Sequence, residues 1–218
     1  SGWTAEDLGQ RLGVTKQTIS NLENRKVDMT KAQYMALRTI FEYEIRLTEN
    51  NDVLNTSNER VLYFAGCMTA LTPGIRKSME SVLNKAGVSY EIMDKDGGIC
   101  CGRPMLMAGR KDPAKEMIRK NTSIIKSSGA TALLLSCPIC LKVFKEEYEL
   151  EGIEVIHHTE YIDRLIAQGR LHVESSAVRY AYHDPCELGR GCGIYEPPRR
   201  VVAAAGHLVE GTKSGKES

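Results

Sequence analysis

The sequence predicts an α/β fold with a duplicated, mostly parallel sheet and flanking helices, preceded by a small all-α module. From residue 61 onward, short apolar runs alternate with segments of helix length, and cysteines follow directly after several of the runs. This alternation is typical of a parallel sheet, because consecutive parallel strands need a crossover connection between them. The cysteines also separate two modules, since all seven lie between Cys67 and Cys192.

Composition limits the function classes. The 218 residues are 42% hydrophobic and 26% charged, which suits one domain of moderate size plus a small module. The formal net charge of +1 gives no global sign of a polyanionic partner. No apolar run approaches about 18 residues and no signal peptide opens the chain, so we expect no membrane insertion and a cytoplasmic location. In that reducing compartment, cysteines serve metal binding or redox chemistry more often than crosslinking.

Residues 1–46 predict short helices joined by a turn. The first begins after Thr4, Gly13 makes the turn, and Thr15 caps a second helix whose buried face includes Ile19. The outward residues of this second helix are Lys16, Gln17, Thr18 and Asn21. Two short helices joined by a turn that contains glycine form a helix-turn-helix. Residues 47–60 lack hydrophobic periodicity and are rich in Asn, Thr and Glu, so we interpret them as a linker.

The first module resembles the helix-turn-helix of Cro/C1-type repressors. Members of that family have a helix ahead of the one that starts at Thr4, so we expect this first helix to be missing from the chain. The resemblance implies DNA binding through the major groove, with base contacts from Lys16, Gln17, Thr18 and Asn21.

The second module, residues 61–218, predicts the following elements in chain order: strand 61–66, helix 73–87, strand 88–93, loop 100–104, helix 112–128, strand 131–136, CPIC turn 137–140 with a helix behind it, strand 153–158, helix 159–169 and strand 178–183. The Lys- and Glu-rich residues 142–151 are expected to be an exposed helical face. Cysteines at the carboxyl ends of parallel strands should converge, because open α/β sheets place their sites there.

An internal repeat indicates duplication. A shift of 119 positions aligns Cys67 with Cys186 and gives eight identities in 29 ungapped positions, where ordinary composition gives about two. The same shift sends Cys100 and Cys101 just past Ser218, so we expect the second half to be truncated before its own Cys-Cys pair.

Five cysteines form the candidate cofactor site. Thirty-two residues separate Cys67 from Cys100, thirty-five separate Cys101 from Cys137, and two separate Cys137 from Cys140. Neighbouring Cys100 and Cys101 do not easily chelate one tetrahedral ion, because their side chains diverge. Soft thiolates select iron–sulfur clusters or zinc, and the absence of cysteine–histidine pairing at zinc-finger spacing favours iron. Zinc, a thiol–disulfide redox site and buried structural thiols remain the alternatives.

The cysteine pattern resembles the CCG domain of the heterodisulfide reductase B subunit and of related glycolate, lactate and glycerol-3-phosphate oxidation subunits. The motifs that carry the resemblance are YFAGC, CCG, CPIC and YHDPCELGRGCGIYEPPR. The resemblance implies a non-cubane [4Fe-4S] cluster on Cys67, Cys100, Cys101, Cys137 and Cys140. Cys186 is the lone member of a partial second motif, and Cys192 fits no family position.

Other polar residues have structural interpretations beside functional ones. Arg103 is a candidate for offsetting cluster charge or a solvated arginine. His183 and Asp184, ahead of Pro185, are expected to form a turn rather than an acid–base pair. We expect His157 and His158 to serve packing and surface roles. No catalytic residue is assigned.

Three functions compete: an electron-transfer or disulfide-reducing subunit of the heterodisulfide reductase type, a redox-responsive transcriptional regulator, and a zinc-stabilised scaffold. The helix-turn-helix module stands where electron-transfer members often carry a ferredoxin-like domain, and this favours regulation. The expected partners are DNA, an electron-donor or oxidoreductase subunit, and a second copy of the chain in a homodimer.

Overall fold

The computed structural model describes residue 4 and residues 16–23, 59–70, 72–95 and 99–211. The chain divides into two compact units, Ser1–Ser57 and Asn58–Ser218. In the first unit, helix α1 (Lys16–Glu23) coincides with the predicted second helix of the helix-turn-helix. The other elements predicted within residues 1–46 and nearly all of the linker at 47–60 lie outside the described residues.

Helix α1 has the amphipathic character that its sequence predicts. Ile19 is buried, whereas Lys16 and Gln17 are exposed and Asn21 is half-buried. The Gln17 amide donates a hydrogen bond of 3.0 Å to the Asn21 side-chain oxygen one turn later. Two of the four predicted base-contacting residues therefore lie on the exposed face of the helix.

Four parallel strands form the main sheet of the second unit: β1 (Val61–Phe64), β2 (Tyr90–Ile92), β3 (Ala132–Leu135) and β4 (Glu154–His157), in the order β2-β1-β3-β4. The two central strands, β1 and β3, are buried at every position. Such continuous apolar strands are typical of a parallel sheet that is covered on both faces. The predicted mostly parallel α/β fold is confirmed.

The helices around this sheet are α2 (Pro73–Lys85), α3 (Arg103–Met107), α4 (Lys111–Ser127), α5 (Pro138–Glu147) and α6 (His158–Ala167). Alternate residues of β1 enter different apolar clusters. Leu62 and Phe64 pack with residues of α4 and α5, whereas Val61 and Tyr63 pack with residues of α2 and α6. The sheet is therefore the middle layer between two layers of helices.

Two predictions at the level of elements need correction. Residues 100–104 are not entirely loop, because α3 begins at Arg103, with Pro104 in its first turn. Residues 142–151 are not simply an exposed face, because Val143, Phe144, Tyr148 and Leu150 are buried. Their spacing places these apolar side chains on the sheet side of α5 and its C-terminal extension, while the charged residues between them face solvent.

The second half repeats the strand, helix, strand order of the first. It contains β5 (Arg179–Ala181), α7 (Cys186–Cys192), α8 (Glu196–Ala205) and β6 (His207–Val209), and β5 pairs with β6 in parallel as β1 pairs with β2. Helix α7 packs on α5, and α8 packs on α6. A bidentate ion pair between Arg200 and Asp163, 2.7 Å at its shortest, joins α8 to α6.

The predicted turn at residues 183–185 leads directly into α7. Asp184 is buried and accepts hydrogen bonds from the Arg199 guanidinium of α8, one of them 2.7 Å long. The ion pair compensates the buried carboxylate, so Asp184 has a structural role here. No helix among the described residues is long and apolar enough to cross a membrane.

Candidate functional site: a cluster of five cysteines

The strand order places a crevice between β1 and β3. From β1 the chain crosses over to β2 on one side, and the next strand, β3, pairs on the other side of β1. Open α/β sheets bind ligands at such a switch point, beyond the carboxyl ends of the strands. Phe64 at the end of β1 lies opposite Leu135 at the end of β3, so Cys67 and Cys137 follow neighbouring strand ends.

The segment between β1 and Cys67 is held by a buried carboxylate. Asp94, just after β2, accepts hydrogen bonds from the backbone amides of Ala65 (3.1 Å) and Gly66 (2.8 Å). Gly66 has a φ of 89°, a conformation that side-chain-bearing residues rarely adopt. A Cβ atom on Gly66 would make an ordinary contact of 3.7 Å with the Cys140 sulfur, so this segment lies beside the CPIC turn and glycine is favoured here by its φ alone.

Two side chains from distant helical segments hold the backbone of the vicinal cysteines. Asn121, on α4, donates hydrogen bonds of 2.9 Å to the Cys100 carbonyl and to the Tyr148 hydroxyl oxygen. The Tyr148 hydroxyl in turn donates to the Cys101 carbonyl at 3.1 Å. Both side chains are buried. The Cys-Cys backbone is therefore fixed to α4 and to the end of α5.

The CPIC turn forms the start of α5. Cys137 is the N-cap residue, Pro138 occupies the first helical position, and the Cys137 carbonyl accepts the Leu141 amide at 2.9 Å. Proline suits this position because its missing N–H would have no helical partner there. The exposed amides and the dipole at a helix N-terminus favour negative charge nearby.

The five sulfurs gather as a pair and a trio. The Cys100 thiol interacts with Cys67, and the Cys101 and Cys137 thiols both hydrogen-bond with Cys140. All five thiols are free of disulfides, and Cys101 and Cys140 are buried. Cys100 therefore belongs to the pair and Cys101 to the trio, and the two neighbouring thiols also interact with each other. Among the described residues, no three His, Cys, Asp or Glu side chains lie in the arrangement of a site for a single metal ion.

Interactions among the thiols give them different pKa values. Hydrogen bonding with Cys140 lowers the pKa of Cys101 to about 7 and that of Cys137 to about 6. The pKa of Cys140 is raised because the same hydrogen bonds, to Cys101 and Cys137, need its proton. Burial raises the pKa of Cys100. The metal-free trio therefore carries thiolate character near neutral pH while Cys140 stays protonated.

The donor set fits a thiophilic cofactor. Thiolates select iron–sulfur clusters, zinc or copper(I) over hard cations. The five sulfurs come from three separate segments that meet at the switch point, where Gly66 lies beside the Cys140 sulfur. Five thiols in this arrangement suit an iron–sulfur cluster better than one tetrahedral zinc ion, because zinc takes four ligands.

The two other cysteines lie outside the pair and the trio. Cys186 is exposed and, with His183, Arg190 and Tyr195, lines a cavity of ≈ 270 Å³ at the start of α7. Cys192 is half-buried, packs against the apolar core, and has a pKa raised by burial.

The paired histidines lie at the junction of β4 and α6, where His157 is buried and His158 is half-buried. The rings of His157 and His158 lie 4.2 Å apart between centroids. The His157 side chain accepts a hydrogen bond from the Thr159 amide and caps α6. Burial lowers the pKa of His157 to about 2 and that of His158 to about 4, so both are neutral at pH 7. His157 thus has the expected packing role, and His158 is only partly withdrawn from the surface.

Sequence reasoning did not identify Asp94, Asn121 or Tyr148 as parts of the site. Asn121 had a detectable signal, because it falls on the buried stripe of α4 with Ala114 and Ile125. Asp94 had none, since an isolated aspartate after a short strand is typical of an ordinary turn.

The fold and the site together define a doubly wound α/β domain with a thiol cluster at its switch point. Residues 61–145 match the family model of the cysteine-rich CCG domain, and residues 1–33 match a helix-turn-helix model. The chain therefore contains a CCG cysteine-rich domain, preceded by a helix-turn-helix domain.

Several characterised and uncharacterised proteins are similar to this chain. A component of the dihydromethanophenazine:CoB–CoM heterodisulfide reductase of Methanosarcina acetivorans is 33% identical over 162 residues, which are 70% of this chain and 39% of that component. The EtfAB:quinone oxidoreductase of Syntrophomonas wolfei is 32% identical over 72% of this chain and 22% of its own length. The chain thus spans about two fifths or less of these relatives.

A third similar protein matches a larger share of the chain. An uncharacterized iron-sulfur protein of Methanococcus maripaludis is 29% identical over 199 residues, 90% of this chain and 36% of its own length. A match of that extent includes residues on both sides of residue 61.

Proposed function

We propose that this chain is an iron–sulfur protein whose cluster is held by Cys67, Cys100, Cys101, Cys137 and Cys140. The observation that carries the proposal is that three chain segments bring five thiols together beyond the ends of β1 and β3, where Cys100 interacts with Cys67 and Cys101 interacts with Cys137 and Cys140. Five thiols on three segments suit a cluster with several irons better than one ion, which takes four ligands. A non-cubane [4Fe-4S] cluster is the specific form that we propose.

Such a cluster supplies one-electron redox chemistry when it is bound. The chain's own groups prepare the site for it. The N-terminus of α5 directs its amides and dipole toward Cys137, and Asp94, Asn121 and Tyr148 fix the backbone on which the other thiols stand. Hydrogen bonds to the backbone restrict ligand orientation in the way that outer-shell groups do in metal sites.

We further propose that the cluster regulates DNA binding by the helix-turn-helix domain. Lys16 and Gln17 lie at the exposed surface of α1, and Lys16, Gln17, Thr18 and Asn21 are the proposed base-contacting set. The similarity to the iron-sulfur protein of M. maripaludis across both parts of the chain supports a functional connection between them. Two coupled sites of this kind would make cluster state and DNA affinity reciprocal.

A second candidate is an electron-transfer subunit. It is favoured by the similarity of the cysteine domain to a heterodisulfide reductase component and to a quinone oxidoreductase. In that case the partner is an electron-donating or oxidoreductase subunit, and the helix-turn-helix serves assembly, including a homodimer.

The deciding experiment is anaerobic purification with iron, sulfide and zinc analysis, followed by DNA binding with the cluster intact and removed. The proposal predicts about four irons and four sulfides per chain and a cluster-dependent change in affinity for the DNA upstream of its own gene. Stoichiometric zinc without iron would overturn the cofactor assignment. Equal DNA affinity in both states would overturn regulation and leave the electron-transfer candidate.

A further inference from the structure

One acidic side chain of the second half reaches both cysteine segments of the first. Glu187 directly follows Cys186 in the first turn of α7. Its carboxylate lies 3.6 Å from the Arg103 guanidinium and 3.4 Å from the Lys142 ammonium. Arg103 stands two residues after Cys101, and Lys142 stands two residues after Cys140.

The packing of α7 fixes where Glu187 can reach. Leu188, the next residue, is fully buried in the apolar cluster that also contains Cys101, Cys140 and Leu141. Helix α7 also packs along α5. The backbone that carries Glu187 is therefore anchored on the core beneath the cysteine trio.

Gly191, in the GRGCG segment, leaves room for the Glu187 carboxylate. A Cβ atom on Gly191 would lie 2.8 Å from a Glu187 carboxylate oxygen, closer than such atoms approach in proteins. Gly191 therefore leaves the space that the Glu187 side chain occupies beside Lys142. Its backbone has no positive φ that would demand glycine, so a Cβ atom here would act by displacing the flexible Glu187 carboxylate.

We infer that Glu187 is a positioning residue for the cysteine cluster. It holds the CCGRP segment and the start of α5 together through Arg103 and Lys142, and its negative charge compensates both cations. All three side chains are roughly a quarter exposed, at 28%, 27% and 26% for Arg103, Lys142 and Glu187. The inference deepens the proposed function, on which its cluster readouts rest.

The test compares Glu187→Gln and Gly191→Ala with two matched controls. Glu116→Gln removes a carboxylate that also pairs with two cations, Arg119 and Lys120, on the exposed surface of α4. Gly74→Ala places a Cβ in open space near the start of α2. The reconstituted proteins are compared for iron release to a chelator and for midpoint potential.

E187Q and G191A should both release iron roughly tenfold faster, the lower end of the effect of outer-shell substitutions. In E187Q the midpoint potential should move to a more positive value, because the uncompensated cations favour the more negative reduced state. Both control variants should behave as the parent protein does. Parent-like release rates and potential in E187Q would overturn the inference while leaving the iron–sulfur assignment intact.

A readout without metal keeps the inference testable if the parent binds no cluster, the result that would defeat the proposed function. In the iron-free protein at one pH, alkylation of the buried Cys101 and Cys140 is followed by mass spectrometry. Loosening of the two segments should speed their labelling severalfold in E187Q and G191A and leave it unchanged in the controls. Equal labelling in all four variants would overturn the positioning role.

Discussion

The buried carboxylate of Asp94 accepts a hydrogen bond of 2.8 Å from the backbone amide of Gly66, the residue directly before Cys67. A group beyond the end of β2 thus sets the path of the chain beyond the end of β1. Asp94 also accepts the Ala65 amide, so its removal leaves two buried amides without their acceptor.

Replacing Asp94 by Asn should lower the free energy of unfolding by about 2 kcal/mol, because hydrogen bonds to a charged group contribute roughly 1.5–3 kcal/mol. Urea unfolding of the metal-free protein measures the change. Asp112→Asn, at an exposed position in the first turn of α4, is the control and should cost well under half as much. Equal losses at the two positions would contradict the role of Asp94.

Removing the hydroxyl of Tyr148 should loosen the vicinal cysteines. Tyr148→Phe leaves the Asn121 amide and the Cys101 carbonyl each short of a buried partner. We expect a loss of about 1–3 kcal/mol in unfolding free energy and a lower iron content at equal reconstitution. Tyr180→Phe, in the exposed strand β5, should change neither quantity. A Y148F protein as stable as Y180F would show that the bridge is not needed.

Single cysteine substitutions test the ligand set. Cys100→Ser and Cys137→Ser should abolish the brown colour and visible absorption of anaerobically purified protein, since each removes a proposed thiolate ligand. Cys192→Ser lies outside the pair and the trio and should keep both. Iron content is the quantity to measure, and parental iron in C100S or C137S would contradict the assignment.

His157 and His158 should make the free energy of unfolding decrease at acid pH. Burial holds the pKa values of His157 and His158 at about 2 and about 4, below the ordinary 6.5, so between about pH 6.5 and 4 the unfolded chain binds protons that the folded chain does not. The free energy of unfolding has its full value above pH 6.5. Below that pH it should fall by about 1.4 kcal/mol per pH unit for each histidine. Lys145 adds to the effect at His157 by repelling its charged form.

Urea unfolding at pH 7 and pH 5 measures this dependence. His158→Gln should reduce the pH slope by the share of one histidine, whereas His172→Gln, at an exposed position, should leave it unchanged. The same slope in H158Q and in the parent would contradict the role of burial.

Much of the fold could be predicted because its signals are local. The apolar runs that became β1 and β3 are continuous, and Pro73 and Pro138 lie in the first turns of α2 and α5. Residues 142–151 misled because their charges conceal an apolar stripe, Val143, Phe144 and Tyr148, that meets the core only when α5 is packed. Periodicity outweighs composition in such a segment.

The site was predictable only in its thiols. Cysteine spacing and strand order suffice to bring Cys67 and Cys137 to one crevice. The groups that hold the cysteine backbone, Asp94, Asn121 and Tyr148, act over 21 to 47 residues of chain through contacts that only the tertiary structure creates. The reach of Glu187 from the second half is another contact of this kind.

The ion pair between Arg200 and Asp163 has a thermodynamic consequence. It joins α8 to α6 while α7 packs on α5. The part of the domain before α7 and the part from α7 onward are therefore in contact at two helix pairs. Neither part can unfold without breaking its helix contacts with the other part. Residues 58–218 should therefore melt as one calorimetric transition, with equal van't Hoff and calorimetric enthalpies, although their two sheets are separate.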